Sequence, residues 1–101
     1  LETTGLDPAR HEILEFAVIC AEPRTLKMIG GANIRVRPEH IETADPKALE
    51  VCGYNEKDWE DAVPLREAME SIAALLEGTL IAGHNVGFDW SFLEAAFKRV
   101  D

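Results

Sequence analysis

Cysteine is nearly absent. The 101 residues include only Cys20 and Cys52, far apart and without a C-x-x-C spacing. That excludes a disulfide scaffold and a thiolate zinc site, and it fits a reducing cytosol. Each cysteine reads as a small buried hydrophobe. Positive charge is scarce as well: ten Lys and Arg stand against nineteen Asp and Glu, for a formal charge of −9. A basic surface able to clamp a long nucleic-acid duplex is therefore not expected. No apolar run approaches the roughly 20 residues of a membrane span, no signal-peptide pattern opens the chain, and repeats and low-complexity stretches are missing.

What is present is an ordinary globular composition, 47% hydrophobic and 29% charged, with room for one domain over residues 1–101. The chain begins at Leu1, not methionine, and stops at Asp101 straight after a basic helical stretch. Both ends look cut, so an internal fragment of a longer protein is expected. At this size the loss of one core element is serious.

Residues Glu12 to Cys20 alternate as a strand. Leu14, Phe16, Val18 and Cys20 share one face, and Ile13, Glu15, Ala17 and Ile19 share the other. Both faces are largely apolar, which predicts a strand covered on both sides, Glu15 excepted. A turn at Glu22-Pro23-Arg24-Thr25 leads to a second strand, Met28 to Arg37. There Ala32, Ile34 and Val36 point inward, and Pro38 closes the antiparallel hairpin. Asp45-Pro46 is a helix start, with a capping carboxylate and proline at the first position. Asn55 with Asp58 suggests a shorter one. From Pro64, Leu65, Ala68, Met69, Ile72, Leu75 and Leu76 recur at helical spacing until Gly78. Thr79-Leu80-Ile81-Ala82 reads as a short buried strand, Gly83-His84-Asn85 as a turn, and Phe88 to Val100 as a last helix. The order predicts an α/β domain with a mixed sheet.

In the last helix, Phe88, Phe92, Leu93, Ala96, Phe97 and Val100 form one broad stripe. Asp89 falls within it, away from Ser91, Glu94 and Lys98. A carboxylate aimed at a packed layer is costly unless paired, hydrogen-bonded or bound to metal. The plainer explanation is that Asp89 interacts with the first-turn amides at the positive end of the helix. Against that stands its company: His84 and Asn85 lie at the end of an expected buried strand, where sites form in α/β sheets. His11 and His40 lie in expected loops and receive no role.

The chain opens with Glu2-Thr3-Thr4-Gly5-Leu6-Asp7-Pro8. Gly5 allows close approach of a ligand to the backbone, and Leu6, beside a turn-forming pair, is expected to be exposed. Glu2-Thr3-Thr4-Gly5-Leu6 resembles the first motif of the DEDD-superfamily 3′–5′ exonucleases, which normally reads D-x-E-T-T-G-L. His84-Asn85-Val86-Gly87-Phe88-Asp89 resembles their second, H-N-x-x-F-D. The two occur in order, separated by a hairpin and a helix, so the resemblance covers nearly the whole chain. Leu1 occupies the x position of the first motif. The aspartate before it, and the third motif with its histidine or tyrosine and a fourth acid, lie outside residues 1–101.

The resemblance implies a ribonuclease H-like fold, here incomplete, and hydrolysis of DNA or RNA at a single-stranded 3′ end around two divalent cations, Mg²⁺ or Mn²⁺. Such cations would bring positive charge to the phosphate in an otherwise acidic protein. Glu2 and Asp89 would be catalytic metal ligands. Thr3, Thr4, Leu6, His84, Asn85 and Phe88 would bind substrate, Leu6 by wedging against the terminal base. Glu15 would support the site from behind. The superfamily contains the proofreading exonucleases of replicative DNA polymerases, of the DNA polymerase III epsilon-like type, and the resemblance implies a cytoplasmic protein with a DNA polymerase as a candidate partner. Two alternatives stay open: a catalytically dead domain that binds nucleic acid or another partner, and an exoribonuclease acting on short RNA. The strand leading into the first motif would be the middle of the sheet, so the chain alone is expected to be inactive and unstable.

Overall fold

The computed structural model describes residues 1–101. The hairpin forms as the alternation predicts, with β2 (Ile13–Ala21) antiparallel to β3 (Met28–Arg35), from Glu15 opposite Arg35 to Cys20 opposite Gly30. A two-residue strand, β1 (Glu2–Thr3), pairs antiparallel on the other edge of β2, giving the order β1-β2-β3. Parallel pairing is limited to a single bridge between Val36 and Val63. Three helices complete the chain: α1 (Pro46–Cys52), α2 (Leu65–Leu76) and α3 (Val86–Val100). This is an α/β arrangement consistent with the ribonuclease H-like fold.

The helix boundaries follow local chemistry. Asp45 caps α1 by accepting from the Lys47 amide, Pro46 takes the first position, and Gly53 ends the helix at φ 72°. The chain leaves α2 through Gly78 at φ 71°. Asn55 and Asp58 do bond reciprocally, Asp58 N–H to Asn55 Oδ1 at 2.8 Å and Asn55 Nδ2 to Asp58 Oδ2 at 2.7 Å, but they fold a run of turns, not a helix.

Two clusters hold the molecule together. The larger joins Ile13, Phe16 and Val36 to Ala68, Met69 and Ile72 of α2 and to Phe92, Leu93 and Ala96 of α3. The smaller gathers Leu14, Trp59 and Ala62, with Leu49, Cys52 and Tyr54 against them. Leu14 thus departs from the face expected to carry it with Phe16. The cause is a register shift. Glu2 lies opposite Glu15 and Thr3 opposite Ile13, so β2 takes two positions for one step of β1 and Leu14 is the extra residue. Its carbonyl accepts from the Trp59 indole at 3.0 Å and from the Val36 amide at 2.8 Å.

Other expectations need correction. Cover on both sides of β2 extends only over Ile13 and Leu14, whereas Ala17 and Ile19 face solvent. Both cysteines are half-buried. Thr79–Ala82 is not a strand, and Leu80 is 100% exposed. No other strand runs beside these four residues, so their amides and carbonyls have no ladder to join.

Candidate active site

The opening segment is fixed from below by Thr4, which is 0% exposed. Its amide donates to Glu12 C=O at 2.9 Å, its hydroxyl accepts from the Glu12 amide at 2.8 Å, and its carbonyl accepts from the Asp45 amide at 2.7 Å. Thr4 therefore ties β1 to β2 and to the start of α1, and its hydroxyl is committed to the fold. The half-buried Thr3 hydroxyl donates to Gly5 C=O at 2.7 Å. The group crowding Gly5 is the His11 ring, whose Nδ1 accepts from the Asp7 amide at 3.1 Å. Arg99, near the end of α3, holds the loop from behind, donating to Pro8 C=O at 2.9 Å and His11 C=O at 3.2 Å.

This anchoring leaves Leu6 79% exposed, with no internal packing to explain an apolar side chain there. Leu6 lines a hollow of about 350 Å³ with Leu1, Glu2 and Thr3; Lys47, Ala48 and Val51 of α1 form the facing wall. Four residues of the first motif, Glu2, Thr3, Gly5 and Leu6, thus border one concavity. No motif marks the α1 wall. Its one sequence signal is Val51, an apolar residue four positions from Lys47 that α1 leaves exposed.

Glu2 is exposed on β1, directly opposite Glu15. Side chains of paired positions lie on one face, so the two carboxylates are neighbours. Glu15 is balanced from its other flank by Arg35, with Nε 3.7 Å from Oε1. Arg35 itself lies over the Trp59 ring, 4.5 Å from its centroid.

The second motif forms the entry to α3. Asn85 precedes α3 with φ −135° and ψ 65°, and its side chain caps nothing, so its amide group and the exposed His84 ring are both free. Phe88 is half-buried and packs on Phe92 with ring centroids 4.9 Å apart. The Asp89 side chain is 34% exposed at the shoulder of the apolar stripe. It does not accept from first-turn amides; its Oδ1 lies 3.7 Å from the Leu1 backbone nitrogen. The two motifs therefore meet through Leu1. Asp89 does not line the hollow that holds Glu2.

Carboxylate oxygens such as those of Glu2 and Asp89 have the donor chemistry that hard cations prefer. No group of three or more His, Cys, Asp or Glu side chains gathers at metal-binding distance.

Comparison with known proteins identifies the family. The RNase_T family model, described as Exonuclease, matches residues 1–101. The chain is 28% identical to Protein NEN2 of Arabidopsis thaliana over 89% of its own length and 19% of that protein. It is 27% identical to the PolC-type DNA polymerase III of Thermotoga maritima, over 98% of this chain and 7% of the polymerase. It is 29% identical to the oligoribonuclease of Corynebacterium glutamicum, over 100% of this chain and 52% of that enzyme. In each case the chain spans well under two thirds of the relative. Exonucleases of this family depend on divalent metal ions. The chain belongs to the RNase_T exonuclease family, among the DEDD exonucleases that its two motifs resemble.

Proposed function

We propose that the protein is a metal-dependent 3′–5′ exonuclease acting at single-stranded ends of DNA or RNA, with residues 1–101 forming the part of its catalytic domain that carries the first and second motifs. The observation that carries this reading is the meeting of the two motifs, with Asp89 reaching the backbone nitrogen next to Glu2. Glu2 and Asp89 are the residues that hold Mg²⁺ or Mn²⁺, both hard cations suited to carboxylate oxygen. Bound there, such ions supply Lewis-acid polarisation of the scissile phosphate.

The remaining roles belong to the chain. Exposed Leu6 packs against the terminal base, a contact that tolerates any sequence. Thr3 borders the same hollow, and Thr4 acts from beneath by fixing the loop that presents Leu6. Lys47 offers the hollow its one cation. His84 and Asn85, free at the entry of α3, bind the strand from the other side, and Phe88 supports them through Phe92. Likeness to PolC-type polymerases supports a DNA polymerase context in the cytoplasm, while likeness to oligoribonuclease supports short RNA as a second substrate class.

The test is release of nucleotides from end-labelled DNA and RNA oligonucleotides by the full-length protein with Mg²⁺. Glu2→Gln and Asp89→Asn should each slow release at least about a hundredfold, the equivalent of losing about 3 kcal/mol of charge stabilisation. An Asp89→Asn protein that works at the normal rate sinks the assignment. The faster of the two substrates decides between DNA and RNA.

A further inference from the structure

The geometry points to a second anion site, a cavity between the opening loop and the start of α2 that binds backbone phosphates of the strand whose end reaches Glu2. This rests on the nuclease reading above. The cavity holds about 560 Å³, and Arg10, Arg66 and Arg99 all line it. Ten cations serve the whole chain against nineteen acids, so three around one cavity is a local reversal of the overall charge. Guanidinium is the side chain best shaped for phosphate, because its planar fork donates two parallel hydrogen bonds.

The walls are built by long-range contacts. Arg99 spends two donors on the Pro8 and His11 carbonyls and keeps others of its five. Arg10 and Arg66 are exposed, and their guanidinium groups make no hydrogen bond or ion pair within the chain. Two carboxylates also line the cavity. Those of Glu12 are occupied, Oε2 by the Glu39 amide and Oε1 by the His40 amide, each at 2.8 Å. Glu12 keeps its charge and Glu39 adds a second, and His40 lies 3.4 Å from Glu42 outside. Three permanent cations thus face two carboxylates, one of them already engaged by backbone amides.

Position selects nucleic acid as the ligand. The loop from Gly5 to His11 borders both concavities, Leu6 lining one and Arg10 the other. Four residues of chain span at most about 14 Å, which is about four nucleotide steps of 3.4 Å along a stacked strand. A strand of a few nucleotides is therefore long enough to span the distance between them.

The experiment is salt-dependent binding of labelled single strands of about twelve nucleotides to the full-length protein, without divalent metal. For single strands each phosphate contact contributes about 0.7 to the slope of log affinity against log salt. Arg10→Ser with Arg66→Ser should lower the slope by about 1.4, so that between about 50 and about 200 mM salt the wild type loses about sevenfold more affinity than the variant. Arg10→Lys with Arg66→Lys should keep the slope. An unchanged slope in the serine pair, equal loss in both pairs, or displacement of the strand by polyglutamate as effectively as by competing oligonucleotide would overturn the assignment. Absence of metal-dependent nucleotide release by the wild type would instead count against Glu2 and Asp89, and the salt slope is read independently of it.

Discussion

Gly5 shows how a motif residue is kept by its neighbour. A Cβ there would collide with the His11 ring, which is itself bonded to the Asp7 amide. Gly5→Ala must push that ring away and should cost about 1–3 kcal/mol. Adding His11→Ala opens the space and should recover most of the loss in denaturant midpoint; no recovery would mean that the collision is not the cause. Thr4 raises a similar question. Because its buried hydroxyl accepts from the Glu12 amide, Thr4→Val should leave that amide unpaired and cost about 1–3 kcal/mol, while Thr4→Ser keeps the bond and costs less. Nucleotide release by a folded Thr4→Val protein should show a normal KM. A raised KM with unchanged stability would make Thr4 a direct substrate contact. Composition and spacing could mark Gly5 and Thr4 as special, but not why, since His11 and Glu12 meet them only after the chain has turned back.

At the scale of elements, the hairpin turn carries the one resolved titration effect. Hydrogen bonds from the Thr25 amide first, then from its hydroxyl, then from the Arg24 amide hold the Glu22 carboxyl below its ordinary value of 4.5. A depressed folded value means that the stabilisation is fully present above the unfolded pKa and is lost as pH falls through the folded one. The Thr25 amide resonance should therefore titrate with a midpoint under 4.5, and Glu22→Gln should abolish the step. A midpoint at or above the ordinary value would contradict the turn geometry. This turn, the cap of α1 and the stripes of α2 and α3 were legible because each depends on residues a few positions apart. The extra residue at Leu14 and the unpaired run Thr79–Ala82 were not, since register and strand pairing depend on what lies alongside. The site divides in the same way. Glu2, Thr3 and Leu6 sit together as their motif implied, whereas the α1 wall and the arginine cavity come from segments with no common pattern.

The whole molecule carries more surface than its mass requires. A folded monomer of 11.2 kDa exposes about 5,700 Å² by the usual scaling, whereas this chain exposes 6996 Å², with 14 of 101 residues buried. Much of the surplus is apolar and local. Leu80, Ile81, Val86 and Trp90 border one shallow hollow, and every one of the four is exposed. Contiguous apolar surface of this kind drives association when nothing covers it. The 101-residue chain should therefore self-associate as its concentration rises. Leu80→Lys with Ile81→Lys should suppress association by charging the patch, at a cost in stability within about 0.5 kcal/mol because little burial is lost. Sedimentation velocity across a concentration series decides the matter, with circular dichroism to follow the helices. A wild-type chain that stays monomeric throughout would show that its folded core suffices alone. A charged variant that associates as strongly would move the sticky surface to the other exposed apolar group, Ile19, Leu26, Met28 and Ile29 around the hairpin end.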